Sequence, residues 1–233
     1  MLTDEQLLFG EPIQIEGIGN LIQPTVKEIA RIGSKNYFDN LLLPFIITSE
    51  SLTGKYKGMD IYDFFFFEQN TPLLQQLIIC LNIFFKQDIG YDMQGDAFRF
   101  KVGKDGIVCK ENFKKLQEII RKINCIKLPE PEKLPENMTP EKLRIHKKMK
   151  FHRNRKAKMD EPTFKEIINT VMHCGESFVP YNVVGNFTYY QLVNSYQVIV
   201  GLSNFNEYMG YKLSLKYELK EDMPSWQEII KMI

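Results

Sequence analysis

The chain has 233 residues, enough for one sizeable domain or two small ones. Its content of 44% hydrophobic and 12% aromatic residues is typical of a globular protein and excludes an intrinsically disordered one. The formal net charge is only +1, from 30 basic and 29 acidic residues, so the overall balance alone indicates no charged partner.

Cysteine usage and hydropathy predict where the protein resides. The four cysteines form no CxxC motif and no close pair, which favours reduced thiols in a cytosol-like compartment. They are Cys80, Cys109, Cys125 and Cys174. The acidic N-terminus lacks a signal-peptide pattern, and Gln75, Gln76 and Asn82 interrupt the longest apolar run. We therefore expect a soluble intracellular protein that does not cross a membrane.

The N-terminal residues predict a hairpin followed by a helix. Residues 12–22 alternate loosely between apolar and small or polar residues, which indicates a short strand or hairpin ending in a turn. Thr25 and Glu28 then have the spacing of a capping box. We predict a helix over residues 26–32 that ends at Gly33.

The next two segments predict further helices. Ser34 is a candidate cap for a helix over residues 37–43 that ends at Pro44, and residues 45–48 fit either strand or helix. Asp60 is a candidate cap for an aromatic helix over residues 61–67. This helix carries four consecutive phenylalanines, Phe64, Phe65, Phe66 and Phe67. We interpret the run as a helix buried on two sides; the alternative is an interface that buries one face against another subunit.

The middle of the chain predicts two helices flanking a small sheet. Thr71-Pro72 opens a helix over residues 71–86 with apolar residues at i, i+3 and i+4. Residues 98–102 alternate apolar and basic and then turn at residues 103–106, which predicts a β-hairpin. Residues 89–93 are a candidate third strand, and residues 111–124 return to a helical pattern.

A proline-rich connector follows. It holds Pro129, Pro131, Pro135 and Pro140. Because proline fixes its own φ and restricts the residue before it, residues 128–138 are predicted to be an extended, exposed spacer. Thr139 and Pro140 then have the pattern of a helix start.

Residues 142–158 are strongly basic and contain no acid. The nine basic residues are Lys142, Arg144, Lys147, Lys148, Lys150, Arg153, Arg155, Lys156 and Lys158. Without them the chain holds 21 basic and 29 acidic residues, a net charge of −8. This basic segment is interpreted either as an arm lying on its own acidic body or as an arm that binds an acidic protein or nucleic acid. Phe151 is its only aromatic residue, which argues against a surface for stacking bases.

The pattern of the last third of the chain predicts helices. Thr163 and Glu166 form another capping box, and a second helical pattern runs from Asn182 with Gly201 and Gly210 as candidate interruptions.

Two weaker signals follow near the C-terminus. Residues 213–217 are a candidate short strand or extended tail, and Ser225 is a candidate cap for a terminal helix. We predict an α+β, mainly α-helical protein with three parts. These are a helical N-terminal domain with the hairpin insert (1–128), the connector and basic segment (129–160), and a helical C-terminal region (161–233).

No residue pattern indicates catalysis, a cofactor or a metal. His173-Cys174 lacks a third orienting group, and His146 and His152 at i, i+6 lie on opposite sides of a helix. Gly17-Ile18-Gly19 lacks the third glycine of a dinucleotide-binding fingerprint. The acids Asp60, Asp63 and Glu68 lack the spacing of a metal-binding loop. We predict that the protein is not an enzyme.

Three stretches of the chain are distinctive when taken together. They are Ile15-Glu16-Gly17-Ile18-Gly19 with Gln23-Pro24-Thr25-Val26-Lys27-Glu28-Ile29, Asn112-Phe113-Lys114-Lys115-Leu116, and Asn186-Phe187-Thr188-Tyr189-Tyr190-Gln191-Leu192 with the later Trp226. In this order they resemble tail-gene proteins of phages and prophages of Gram-positive bacteria, and specifically tail assembly chaperones. The resemblance implies a non-enzymatic factor in the host cytoplasm that keeps the tape measure protein soluble until tail tube subunits polymerise around it. The phenylalanine run, the hairpin insert and the length depart from that pattern. A structural component of the tail or baseplate in the virion is the alternative.

The predicted partner contacts lie in two places. The first is the basic segment, through Lys147, Lys148, Arg153 and Arg155, and the second is the run Phe64, Phe65, Phe66 and Phe67. The resemblance implies other tail proteins as partners, such as the tape measure or tail tube protein. A homo-oligomer, and nucleic acid bound through the basic segment, are left open.

Overall fold

The computed structural model describes residues 2–66, 71–94, 97–128, 141 and 161–214, and within the basic segment positions 142, 144–146, 148, 149 and 152. Helices predominate, and the strands form one two-stranded and one three-stranded antiparallel sheet. The predicted α+β, mainly helical class is therefore confirmed.

A helical turn and a short hairpin begin the chain. Helix α1 spans Asp4–Phe9, and strands β1 (Ile13–Ile15) and β2 (Gly19–Leu21) pair antiparallel. Gly17 lies in the connecting turn with φ +74°, a left-handed conformation that favours glycine. The predicted hairpin is confirmed, and Gly17 serves a tight turn.

Helix α2 spans Val26–Ile32 as the sequence predicts. The hydroxyl of Thr25 accepts a bond from the Glu28 N–H (3.3 Å), and the Glu28 carboxylate accepts one from the Thr25 N–H (2.9 Å). These reciprocal bonds satisfy two amide groups that a helix start leaves without partners.

The helical segment predicted over residues 37–43 ends at Leu41, before Pro44, and a further short helix that the sequence did not predict begins beside this proline. Helix α3 (Ser34–Asn36) continues into a π-helical turn (Tyr37–Leu41), and α4 (Leu43–Ile46) contains Pro44 in its first turn. A proline is tolerated there because that position needs no intrahelical N–H donor. Ser34 also makes no side-chain capping bond, since Gly33 occupies the cap position. Two 3-10 turns follow, Ser49–Ser51 and Gly54–Tyr56.

The next elements enclose the main core. Helices α5 (Ile61–Phe66), α6 (Thr71–Phe85) and α7 (Lys110–Ile123) flank the sheet of β3 (Ile89–Gln94), β4 (Ala97–Val102) and β5 (Gly106–Val108). The strand order is β3-β4-β5, with both pairs antiparallel. The predicted third strand and both flanking helices are confirmed.

The C-terminal third contains α8 (Phe164–His173), α9 (Tyr181–Val184) and α10 (Tyr189–Lys212). The prediction of one helix from Asn182 is wrong, because Thr188 caps a new helix start. Gly201 and Gly210 do not interrupt α10. Each glycine costs about 1 kcal/mol relative to alanine, and the continuing turns on both sides offset that cost.

The C-terminal helices dock on the N-terminal half. Val26 belongs to a second, smaller core together with buried residues of the last three helices, namely Ile167, Val171, Met172, Val184 and Leu192. The Val26 N–H donates to the Phe187 carbonyl (2.8 Å), and Thr25 and Thr188 form a β-bridge. The predicted first and third parts therefore share a packed interface. Of the candidate strand at 213–217 only residues 213 and 214 are described, and Leu213 is the C-cap of α10. The candidate helix starting at Ser225 and nearly all of the proline connector lie outside the described residues.

Candidate partner-binding surfaces

The described positions of the basic segment are helical and mostly exposed. Lys148 is one of them, and its side chain is exposed, as are those of Ile145 and Met149. Lys147, Arg153 and Arg155 lie outside the described residues. The structure thus places one of the four predicted basic contacts on an exposed helical surface.

The phenylalanine run belongs largely to the core. The Asp60 carboxylate accepts a bond from the Tyr62 N–H (2.8 Å), which starts α5 as predicted. Phe64 and Phe65 are buried, and Phe65 packs edge-to-face on Phe113 with ring centroids 5.7 Å apart. Burial removes these two rings from any surface of the monomer, so the partner-surface alternative fails for Phe64 and Phe65.

Phe66 extends the core toward the sheet. It is half-buried and lies parallel to the ring of Phe98, with centroids 4.4 Å apart. Phe67 lies outside the described residues. The run therefore acts mainly as packing between α5, α7 and β4, because consecutive helical positions point to different sides of the helix.

A groove runs beside α7. We call it the α7 groove; its volume is about 700 Å³. Basic side chains of α7 line it together with Glu50, Asp60 and apolar side chains such as Phe113 and Ile126. The basic ones are Lys110, Lys114, Arg121 and Lys122.

Ion pairs anchor two of these basic residues. Lys122 contacts Asp4 (2.7 Å), and Lys110 contacts Asp63, whose carboxylate raises the pKa of Lys110. The lining of the α7 groove therefore combines paired charges with apolar side chains. The sequence predictions missed it because its walls are separated along the chain. The charges at positions 110, 114, 118 and 122, four residues apart, were the available signal.

His173 and Cys174, the candidate reactive pair, lie at the C-terminal end of α8. The ring of His173 packs beside the rings of Phe178 and Tyr181, with ring centroids 5.3 Å and 6.4 Å apart. The neighbouring Cys174 is exposed. Burial raises the pKa of the Cys125 thiol to about 11, which disfavours the nucleophilic thiolate at neutral pH. Among the described residues, no group of three His, Cys, Asp or Glu side chains could hold a metal ion.

The Gly17-Ile18-Gly19 motif has a packing role. Ile18 is buried, and the Gly17 carbonyl accepts a bond from the Ile107 N–H (2.9 Å), which joins the first hairpin to β5. The motif thus connects the two sheets.

No family model matches this chain, and neither a curated protein nor a solved structure is similar to it. None of the helices in the described ranges combines the length and the apolar character needed to cross a membrane.

Proposed function

We propose that this protein is a non-enzymatic assembly factor, similar to a phage tail assembly chaperone, and that it binds another protein through its basic segment. The observation that carries the proposal is the separation of charge. Nine basic residues lie within residues 142–158, on a chain whose remainder has a net charge of −8. The described positions of this segment are helical and mostly exposed, which suits a surface that contacts a partner.

The apolar side chains of the segment support a protein partner. Ile145 and Met149 are spaced at i, i+4 and are 52% and 58% exposed. A helix that presents two apolar residues among lysines and arginines can lie against a protein surface that has an apolar centre and an acidic rim. The resemblance of the three sequence stretches to tail assembly chaperones favours the tape measure protein as this partner.

Co-expression tests the proposal. The full chain is produced together with the tape measure protein or the tail tube protein of the same gene cluster, and the soluble fraction is purified through a tag on the chain. We expect the partner to remain soluble and to co-purify with the wild type. Replacing Lys147, Lys148, Arg153 and Arg155 with glutamate should remove most of the partner.

A matched control separates the segment from general charge. Four exposed lysines elsewhere, Lys35, Lys57, Lys104 and Lys165, are replaced with glutamate to give the same charge change. This control should retain the partner. Equal loss in both variants would contradict a specific role for the basic segment.

Two further outcomes would overturn the proposal in favour of its alternatives. Co-purification that nuclease treatment abolishes, with affinity falling steeply as salt increases, would indicate nucleic-acid binding. Mass spectrometry that finds the protein in purified virions at stoichiometric copy number would indicate a structural tail component.

A further inference from the structure

The three-stranded sheet has one covered edge and one open edge. At the β5 edge, the outward N–H of Ile107 donates to the Gly17 carbonyl, so the first hairpin covers it. At the opposite edge, β3 pairs only with β4 in the described part of the chain. An uncovered edge strand presents N–H and C=O groups that can pair with another strand.

The register shows which groups of β3 point outward. Asp88 and Gly103 share a backbone hydrogen bond, and residues of an antiparallel strand alternate between inward and outward bonding. Even-numbered residues of β3 therefore bond to β4, and Ile89, Tyr91 and Met93 point their backbone groups outward. The N–H of Ile89 confirms this parity, because it donates away from the sheet to the Asn82 side chain (3.1 Å).

The side chains of β3 do little to protect this edge. Tyr91 and Met93 are 57% and 59% exposed, and the strand contains no lysine and no proline. Its single charge, Asp92, contacts Arg99 and Lys101 at 2.7 Å each. Hydrogen bonds from Arg99 and Lys101 lower the pKa of Asp92 to about 2. The carboxylate is therefore directed toward β4 and does not repel an approaching strand.

We infer that β3 pairs antiparallel with β3 of a second copy of this chain, about a twofold axis at Tyr91, to form a six-stranded sheet. In this register each Tyr91 faces the other, and each Ile89 faces a Met93. Each Asp92 lies opposite a Gly90, so no like charges meet.

The other symmetric registers are less favourable. An axis at Asp92 places Ile89 opposite residue 95, beyond the end of the strand. An axis at Gly90 places Met93 opposite Gln87, beyond the end of the strand. The register centred on Tyr91 is the one in which residues 89, 91 and 93 all lie opposite one another.

This contact predicts a weak dimer. The backbone N–H of each Tyr91 donates to the carbonyl of the other Tyr91, and the N–H of each Met93 donates to an Ile89 carbonyl of the partner strand. The contact therefore adds four backbone hydrogen bonds. The strand contact alone is smaller than the roughly 800 Å² per partner of a standard stable interface. We therefore expect dimerisation that depends on concentration. The inference is independent of the proposed function.

Sedimentation velocity on the full chain, from micromolar to submillimolar concentration, tests the inference. The wild type should shift from monomer to dimer. Met93→Pro should remain monomeric, because proline removes an outward N–H without removing a β3–β4 bond. Met93→Ala keeps that N–H and should retain most of the association. Tyr91→Lys places two lysines opposite one another and should also weaken the association. This variant provides the test if Met93→Pro does not fold.

Cross-linking tests the register itself. In a Cys174→Ser background, Tyr91→Cys places two thiols across the axis at a Cα separation of about 5.5 Å, within disulfide range. Met93→Cys places its two copies about 14 Å apart and serves as the control. We expect a covalent dimer from Tyr91→Cys alone. A wild type that stays monomeric at all concentrations, Met93→Pro that associates like Met93→Ala, or equal cross-linking of both cysteine variants would overturn the inference.

Discussion

Two buried glutamines show how hydrogen bonding decides the energetic effect of a polar residue. Gln117 is 3% exposed, and its amide donates to the carbonyls of Pro44 (3.0 Å) and Ile47 (3.3 Å). Gln23 is 4% exposed, and neither polar atom of its side chain has a hydrogen-bond partner among the described residues. Burying an amide without a partner costs free energy, whereas a bonded amide offsets that cost. The two residues should therefore respond oppositely to the same substitution.

We predict that Gln23→Met raises the free energy of unfolding by about 1 kcal/mol, since it removes an unpaired buried amide. Gln117→Met should lower it by about 1–3 kcal/mol, because two buried carbonyls lose their donor. Urea denaturation of both variants and the wild type measures the difference. Equal destabilisation by both substitutions would show that Gln23 has a favourable contact after all.

At the scale of elements, threonine followed three residues later by Glu or Gln starts four helices. Reciprocal side-chain and backbone bonds of this kind start α1, α2, α8 and α10. In the capping box of α2, which consists of Thr25 and Glu28, the Glu28 carboxylate has an additional partner, the Lys86 ammonium. This pair ties the start of α2 to the end of α6. A local capping device thus becomes a tertiary contact.

The Glu28 carboxylate should make stability depend on pH. Burial alone would raise the pKa of Glu28, but hydrogen bonds from Lys86 and Thr25 outweigh that effect and lower it below 4.5. A carboxylate whose pKa is lower in the folded state than in the unfolded state stabilises the fold. This contribution is fully present at pH values above the unfolded-state pKa and is lost as the pH falls through the folded-state pKa. Glu28→Gln keeps the cap but removes the charge. We predict that it is less stable than the wild type at pH 7 and that the difference closes as the pH falls through the lowered folded-state pKa of Glu28.

A matched variant isolates the role of Lys86. The Glu166 box of α8 has the same bonds to Thr163, and no ion pair is found for it among the described residues. Glu166→Gln should therefore change stability less than Glu28→Gln at pH 7, as measured by urea denaturation across pH. A larger effect at Glu166 would contradict the contribution of Lys86.

At the scale of the whole molecule, Val26 joins the two halves. It lies in α2, within the N-terminal half, yet its side chain belongs to the second core with α8, α9 and α10. Backbone bonds from Val26 to Phe187 and from Lys27 to Gly185 (3.0 Å) reinforce this junction. The docking of the C-terminal helices therefore depends on α2, which also contributes Ile29 to the main core.

We predict that Val26→Ala costs about 2 kcal/mol, since it leaves a cavity in the smaller core. The loss should appear mainly as faster hydrogen exchange in α8 and α9, with the amides of β4 and α7 less affected. Val108→Ala, the same change in the main core, should instead accelerate exchange in the sheet and α7. Unchanged exchange in α8 and α9 of Val26→Ala would contradict the role of Val26.

The sequence by itself determined most helix starts and the strands. Thr25 with Glu28, Thr163 with Glu166, and the alternation over residues 98–102 are signals within a few residues, and such local preferences survive in almost any tertiary context. The charge of the basic segment was equally visible, because net charge needs no coordinates. Its position relative to the rest of the chain was not.

Only the tertiary structure decided which faces are buried and which edge is open. The sequence favoured a buried helix for Phe64 and Phe65 but left an interface as the alternative, and only the packing of α7 and the sheet against them decided between the two. The walls of the α7 groove and the open edge of β3 depend on residues far apart in the chain. Burial and strand pairing are set by such long-range contacts, so a pattern of neighbouring residues cannot specify them.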